Sequence, residues 1–247
     1  MTSVSTAPVS DQRTLLDIQA LDTTLAKLTH QKNVHPTLAT LEELTGRAED
    51  LDRSRAETQV LVTDTRRELL KAETDVEQVR NRAERDRQRL ESGSGSPKDL
   101  QALTQELEML AKRQNDLEDI ELEVMERLET AEGELAATTE QLEAIRADIT
   151  RTEAERDEAF ADLDGQIEQI RAQREELAGG VDADLLALYE RVRAKSGGLG
   201  VVALKGGATQ GIQIPLSLTE KSAIEAAPPE QVIRSEDYDY ILVRLDD

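Results

Sequence analysis

The positions of proline constrain this chain more than any other sequence feature. Its six prolines stand at positions 8, 36, 97, 215, 228 and 229, so residues 37–96 and 98–214 contain none. A proline inside a helix costs about 3 kcal/mol, and long proline-free stretches are therefore what long helices require. Around Pro97 lies ESGSGSPKDL, residues 91–100, a composition typical of a turn. The pattern predicts two long helices that meet at this turn.

Apolar residues recur at alternating spacings of three and four along both stretches. In the second stretch, two heptad positions are occupied mainly by aliphatic residues over about seven heptads. These residues are Leu100, Leu107, Leu128, Leu135, Leu142 and Ile149 at one position, and Leu103, Leu110, Leu117, Val124, Ala131 and Ile145 at the other. The first stretch repeats in the same way with polar interruptions, among them Arg55 and Thr65. Such a repeat predicts a coiled coil.

The lengths of the helices predict how they pair. A helix of about 80 residues that begins near Pro97 would be about 120 Å long. Two earlier helices, over residues 11–33 and 37–90, together match that length. We therefore expect an antiparallel hairpin with its turn at residues 91–98. A kink is expected near residues 34–37, because the residue before a proline avoids helical geometry.

The composition changes after Gly180, and eight of the thirteen glycines lie from Gly179 onward. We expect short strands and short helices in this part of the chain. They are a helix over 183–195, strands over 200–204, 212–214 and 240–244, and a helical turn over 218–226. The predicted fold class is mainly α, a long antiparallel coiled-coil hairpin with a small C-terminal β module. The predicted domains are a disordered segment over 1–10, the hairpin over 11–180 and the module with its short helix over 181–247.

Charge and composition exclude several classes of function. The formal net charge of −22 repels nucleic-acid phosphates and anionic membrane surfaces. The chain has no cysteine, which excludes disulfides, thiol catalysis and thiolate metal sites. No run of 18 apolar residues and no signal-peptide pattern is found. We expect a cytoplasmic protein that does not bind membranes and, as a whole, disfavours nucleic acid.

No set of residues typical of an active site is visible. The two histidines, His30 and His35, lie apart from any serine and aspartate pair. The many carboxylates follow the spacing of a solvated coiled-coil surface. We therefore expect a protein that is not an enzyme and uses no cofactor.

A cluster of basic residues flanks the predicted turn and is the candidate interaction site of the hairpin. We call it the tip cluster, and its members are Arg80, Arg82, Arg85, Arg87, Arg89 and Lys98. It is able to dock an acidic protein segment or RNA, or to pair with acids of the facing helix. No aromatic residue is close by to stack on bases, which weakens the RNA interpretation.

Three stretches together resemble a known family. They are SGSGSPKDLQALTQELEMLAKRQNDLED at 92–119, LYERVRAKSGGLGVVAL at 188–204 and AAPPEQVIRSEDYDYILVR at 226–244. They resemble the bacterial family of coiled-coil hairpin proteins with a C-terminal C4-type zinc ribbon, in its actinobacterial form. The resemblance covers nearly the whole chain past residue 10 and implies a ribbon fold for the module. Some members of that family are thought to bind a sigma factor or secretion and flagellar components.

The resemblance also implies four zinc ligands that this chain lacks. The four ligand positions fall on Ala208, Gly211, Ser235 and Tyr238. A structural zinc needs four thiolate or imidazole donors, so we expect a degenerate ribbon without metal. Because zinc supplies much of a ribbon's folding free energy, other contacts must replace it. The candidates for this replacement are Tyr238, Tyr240, Ile212, Ile214, Leu216 and Val232.

The sequence thus favours a non-enzymatic scaffold, adaptor or chaperone-like protein that binds a protein partner through the rod and the metal-free module. The alternative is a nucleic-acid-associated protein that uses the arginine-rich tip. The module itself is acidic, which makes it a poor nucleic-acid surface. A hairpin closes its own seam, so both a monomer and a homodimer are compatible with the pattern.

Overall fold

The computed structural model describes residues 6–235 and 237–245. Within them the chain forms five helices and four short strands. The helices are α1 (Val9–Asn33), α2 (Pro36–Glu91), α3 (Pro97–Gly179), α4 (Ala183–Lys195) and α5 (Leu218–Ala226). The strands are β1 (Val201–Lys205), β2 (Ala208–Thr209), β3 (Ile233–Arg234) and β4 (Ile241–Arg244). The predicted fold class, a coiled-coil hairpin with a small C-terminal sheet, is confirmed.

Contacts divide the chain into two compact units. Residues 39–153 form the hairpin unit, which contains most of α2 and the first two thirds of α3. Residues up to 38 and from 154 onward form the second unit, which we call the base unit. The chain passes from one unit to the other at residues 38–39 and 153–154, so these units do not test the predicted domain boundaries at residues 10 and 180, which stay a prediction.

The heptad residues form the seam of the hairpin unit. All buried apolar residues of the hairpin unit stand at predicted heptad positions. These buried residues are Val62, Ala72, Val76, Leu103, Leu117, Val124, Ala131, Leu142 and Ile145. The polar Thr65 and Asp86 are also buried within this unit. The seam is narrow, and the hydrophobic stabilisation therefore comes from a single stripe of aliphatic side chains.

Ion pairs across the seam show that α2 and α3 are antiparallel. Arg146 lies 3.6 Å from Asp52, Arg66 lies 2.5 Å from Glu132, and Arg80 lies 2.6 Å from Glu118. Successive pairs are two heptads apart, upwards along α2 and downwards along α3. Equal steps in opposite directions mean that the register of the two helices stays constant over this length.

The turn between α2 and α3 forms as its composition predicts. Gly93 and Gly95 adopt positive φ angles of 64° and 149°, which glycine tolerates better than other residues. Ser96 caps α3, because the Asp99 amide donates to its hydroxyl at 3.3 Å. The Asp99 carboxylate accepts in return from the Ser96 amide and hydroxyl, and these bonds lower the pKa of Asp99. The reciprocal bonds fix the first turn of α3.

The C-terminal sheet has the strand order β2-β1-β4-β3. Strands β1 and β4 are parallel, and the outer strands are antiparallel to their neighbours. The predicted strand over 212–214 is wrong. There the Thr209 hydroxyl donates to the Ile212 carbonyl at 2.6 Å and accepts from the Ile214 amide at 3.0 Å. A side chain thus replaces the ladder, and the segment is a loop.

Helices cover both faces of this sheet. On one face Val201, Ile241 and Val243 pack in a cluster with residues of α1 and α4, among them Leu15 and Tyr189. On the other face Val202, Leu204 and Leu242 pack with Ile224 of α5 and with Ile214 of the preceding loop. Successive residues of β1 and β4 therefore enter different cores, as the two-residue period of a strand requires.

The prediction of a disordered N-terminus is wrong for residues 6–10, and residues 1–5 lie outside the described part of the chain. The Ala7 amide donates to the Glu230 carbonyl at 2.8 Å, and the Ala7 side chain is buried. Gln12 donates to the carbonyls of Ala7 and Pro229. Backbone pairing with a distant segment, which composition does not reveal, keeps these residues in place.

A buried carboxylate joins three helices of the base unit. Asp22 of α1 lies 2.6 Å from Arg174 of α3 and 2.7 Å from Arg193 of α4. The Tyr189 hydroxyl donates to it at 2.7 Å. Burial alone raises the pKa of Asp22, but the hydrogen bonds from Arg174 and Tyr189 and the two positive charges outweigh burial, so the pKa is lowered. Burial and the bond to Asp22 raise the pKa of Tyr189.

Replacing Asp22 tests this junction. Because its pKa is lowered on folding, Asp22 stabilises the native state above its unfolded pKa of about 3.9, and that stabilisation is lost as pH falls through the lower folded value. We expect Asp22→Asn to cost about 3 kcal/mol at pH 7 and progressively less below pH of about 4. Urea unfolding followed by tyrosine emission, from pH 7 to 3, measures the difference. Asp17→Asn, at an exposed position of α1, is the control. A cost that does not depend on pH would contradict the assignment.

Gly200 is required by the ring of Tyr189. A Cβ at Gly200 would lie 2.5 Å from Tyr189 Cε2 and 2.6 Å from Cδ2. The ring is fully buried and its hydroxyl is bound to Asp22, so it has no room to move away. We expect Gly200→Ala to destabilise the fold by about 1–3 kcal/mol. Thermal unfolding provides the measurement, with Gly165→Ala as the control because a Cβ there meets nothing within 4 Å. Equal melting of both variants would refute the expectation.

Candidate interaction surfaces

The tip cluster does not form one continuous basic surface. Arg80 pairs with Glu118, and Arg82 pairs with Glu106, both across the seam. Arg87 and Arg89 pair with acids of α2 itself. Four of the six members thus have acidic partners. Within the described residues, Arg85 and Lys98 form no ion pair. In the part of the chain that the structure describes, only Arg80 and Arg82 pair with the facing helix, as the charge-pairing interpretation expects, while Arg87 and Arg89 pair within their own helix.

Glu118, the partner of Arg80, is held by two hydrogen bonds. The carboxylate of Glu118 accepts from Gln114 at 2.8 Å and from Arg80 at 2.6 Å. The hydrogen bond from Gln114, which has the larger effect, and the hydrogen bond from Arg80 both lower the pKa of Glu118. Arg80 and Arg82 are thus held in cross-helix pairs on an exposed surface, where each pair contributes little to stability.

Two members of the cluster, Arg82 and Arg85, line an open groove of about 660 Å³ between α2 and α3. We call it the tip groove. Its apolar lining comes from Val79, Leu110 and Leu117, which belong to the seam. Its polar lining consists of Asp75, Gln78, Asn81, Arg82, Arg85 and Arg113. Three cations and one carboxylate thus surround an aliphatic floor.

Arg113 was not singled out from the sequence. It follows Leu110 by three residues and precedes Leu117 by four, and this spacing places it beside the seam on the same side of α3. That spacing is the signal from which it could have been found. Arg113 is exposed and, like Arg85, has no ion pair within the described part of the chain. Arg80, Arg87, Arg89 and Lys98 do not line the tip groove.

The hairpin unit also exposes large apolar side chains. Between residues 60 and 125, all of which the structure describes, seven of them are between 46% and 68% exposed. They are Val60, Leu61, Leu70, Met109, Ile120, Leu122 and Met125. Leu122 and Met125 are three residues apart on α3 and so share one face of that helix.

The four positions that the family resemblance assigns to zinc ligands lie at the two outer edges of the sheet. Ala208 is in β2 and Gly211 follows it, whereas Ser235 and Tyr238 follow β3. Strands β1 and β4 lie between the two pairs. Ser235 is buried, and its hydroxyl accepts from the Tyr240 amide at 3.2 Å. It therefore closes the loop that leads into β4. In the described residues, no group of three or more acidic or histidine side chains is placed to hold a metal.

The two tyrosines of this loop stack on each other. The rings of Tyr238 and Tyr240 are 5.9 Å apart and nearly parallel, with an interplanar angle of 6°. Tyr240 packs against both hydrophobic cores, while Tyr238 remains half exposed. Of the aliphatic candidates for stabilising the module, Ile214 and Val232 are buried, and Ile212 is 42% exposed.

The guanidinium of Arg244 binds a row of backbone carbonyls. It donates to Ile224 at 3.0 Å and to Ala227 at 2.7 Å. It also donates to Pro228 at 2.5 Å and to Pro229 at 3.1 Å. These acceptors lie at the end of α5 and just beyond it, where carbonyls have no partner within the helix. One side chain of β4 thus fixes α5 and the following segment.

No helix in the described part of the chain combines the length and apolar content that are needed to span a membrane.

Comparison with known proteins supports the hairpin architecture. The chain matches the CT398-like coiled coil hairpin domain over residues 18–197. The Mycobacterium tuberculosis protein Rv2229c is 33% identical over 240 residues, which cover 97% of this chain and 98% of the relative. A solved structure from Mycobacterium smegmatis has a TM-score of 0.84 at 30% identity and covers 97% of this chain and 100% of that chain.

A more distant solved structure shares the fold. CT398 from Chlamydia trachomatis has a TM-score of 0.71 at 19% identity, with 96% of this chain and 98% of that chain covered. The matched domain spans well over half of the chain, and the mycobacterial relatives extend the similarity to almost all of it. The protein is therefore a member of the CT398-like coiled-coil hairpin domain family, with actinobacterial homologues.

Proposed function

We propose that the protein is a non-enzymatic scaffold or adaptor of the cytoplasm that binds another protein. The exposed apolar side chains of the hairpin unit carry this proposal. Seven such side chains lie between residues 60 and 125 of a helix pair that is otherwise highly charged. Burial of one large aliphatic side chain contributes about 1.5–3 kcal/mol, so a partner that covers several of them gains substantial affinity.

A protein fits these surfaces better than a nucleic acid. Phosphate groups make no favourable apolar contact with Leu122 or Met125. The net charge of −22 also repels a polyanion such as nucleic acid. The alternative, binding of RNA or DNA at the tip cluster, is favoured by Arg85 and Lys98, which form no ion pair with any residue that the structure describes. It is opposed by the pairing of the other four cations with carboxylates.

We also propose that the C-terminal module is a second contact surface, a degenerate ribbon without metal. Its four ligand positions carry Ala208, Gly211, Ser235 and Tyr238, none of which binds zinc as a thiolate does. In place of zinc, the hydrogen bonds of Arg244 and the stacking of Tyr238 on Tyr240 stabilise the loops. The exposed ring of Tyr238 offers a partner the kind of aromatic surface that is enriched in interfaces.

Partner capture tests the proposed function. Tagged full-length protein is incubated with lysate of the organism that makes it, with and without nuclease. We expect a nuclease-resistant protein partner. Leu122→Gln combined with Met125→Gln removes two apolar contacts without changing the charge, and we expect capture to fall about tenfold or more. The control adds glutamine at two exposed positions of the same helix, Ala136→Gln with Ala137→Gln.

Two results of the capture experiment, and one of a separate sedimentation measurement, would reject the proposal or redirect it. Capture that disappears with nuclease would favour the nucleic-acid alternative. Equal capture by both double variants would remove Leu122 and Met125 from the contact. Sedimentation of the purified protein alone identifies a homodimer, in which case a second copy of the chain covers the apolar side chains.

Replacing Arg244 tests whether the module is stabilised by its own contacts without a metal. All three tyrosines of the chain stand at or beyond position 189, so tyrosine emission reports on this region. We expect Arg244→Met to destabilise it by about 2 kcal/mol, because several carbonyls lose a charged donor. Lys205→Met removes the same charge at an exposed position and should have little effect. A chelator should leave the unfolding curve of the natural chain unchanged, and a chelator-induced loss of stability would disprove the proposed absence of metal.

A further inference from the structure

The tip groove places positive charge beside an aliphatic floor. Its floor is aliphatic, formed by Val79, Leu110 and Leu117, of which Leu117 is buried. Its rim holds Arg82, Arg85 and Arg113 against a single carboxylate, Asp75, among the described residues that line it. On an acidic chain this is a local reversal of charge.

The three arginines differ in their availability. Arg82 already has an acidic partner across the seam, Glu106. Arg85 and Arg113 have no ion pair within the described residues, although carboxylates are abundant on both helices. At physiological ionic strength, charges more than about 8 Å away are largely screened, so these two cations act on a ligand before the net charge of the chain does.

The size of the groove suits several side chains of a peptide. Its volume of about 660 Å³ lies within the range of sites that hold ligands, roughly 300–1,000 Å³. Because it is open along the helix pair, a helix or an extended segment is able to lie in it. The floor would receive aliphatic side chains, and the rim would receive carboxylates on either side of them.

A peptide fits better than RNA for two reasons. The floor offers aliphatic surface, which gains free energy from contact with leucine-like side chains and little from phosphates or sugars. None of the residues that line the groove is aromatic, so bases have no ring on which to stack.

We propose that the tip groove is a docking site for an acidic amphipathic segment of a partner protein, whose carboxylates bind Arg85 and Arg113 while an aliphatic side chain between them contacts Val79, Leu110 and Leu117. This inference rests on the proposed function and names the partner's chemistry at one place on the hairpin. It also assigns a role to Arg113.

An array of labelled 12-residue peptides tests the proposal with the full chain. Each peptide carries leucine between two glutamates, with the spacing of the three residues varied, and matched peptides carry lysine instead of glutamate. We expect glutamate peptides of at least one spacing to bind, measured by fluorescence anisotropy, and lysine peptides not to bind. Arg113→Glu and Arg85→Glu should each weaken binding about tenfold or more, the loss expected for one charged contact.

The matched control is Lys112→Glu, which makes the same change of charge one residue away at an exposed position outside the groove. It should change the affinity less than about twofold, as expected for a charge outside the contact. Arg113→Gln is the milder variant, and circular dichroism verifies that each variant keeps its helices. An equal loss with Lys112→Glu would overturn the proposal, because binding would then follow net charge.

Two further outcomes would also overturn it: no binding by any glutamate peptide, or binding of a uridine oligonucleotide that Arg85→Glu and Arg113→Glu abolish. Failure here is distinguishable from failure of the proposed function. If the protein captures a nuclease-resistant partner equally with and without Arg85→Glu and Arg113→Glu, the adaptor function stands and only the groove is excluded.

Discussion

The carboxylate of Asp22 is the interaction on which the base unit depends. A buried charge is costly unless it is paired, and here two arginines and a tyrosine hydroxyl surround it. The same hydroxyl fixes the ring of Tyr189, and that ring leaves room only for a glycine at position 200, next to the first strand. Gln19, three residues before Asp22, accepts from the Gly200 amide at 2.6 Å. One turn of α1 thus positions α3, α4 and the start of the sheet.

The parts of the fold that follow a one-dimensional period could be predicted from the sequence. Heptads and prolines located α1, α2 and α3 to within two residues, because seam positions such as Val62 and Leu117 recur at fixed spacing. Pairs that are distant in sequence could not be seen. Asp22 and Arg174 are 152 residues apart, and the strands β2 and β3 are two residues each, defined by pairing alone. Residues 6–10 are ordered by a contact with Glu230 that their composition does not indicate.

The candidate surfaces divide in the same way. The tip cluster was visible as a run of arginines, but its partition was not, because it depends on which acids face each side chain. Arg82 and Arg85 are three residues apart in α2, yet one is paired across the seam and the other is unpaired among the described residues. Arginine therefore has two uses at this end of the hairpin unit. Four of the tip arginines pair with acids, two across the seam and two within α2, whereas Arg85 and Arg113 leave positive charge beside an aliphatic floor.

The constant register of the ion pairs limits how this hairpin can change in length. Because pairs recur every two heptads on both helices, adding or deleting one residue in one arm rotates every following seam residue by about 100°. Seam and surface residues would then exchange places beyond that point. A homologue is free to lengthen only where both arms gain whole heptads together, at facing positions. Differences in hairpin length among relatives should therefore come as paired insertions, and a lone insertion should be found at the Gly93–Gly95 turn, where no seam has to be kept in register.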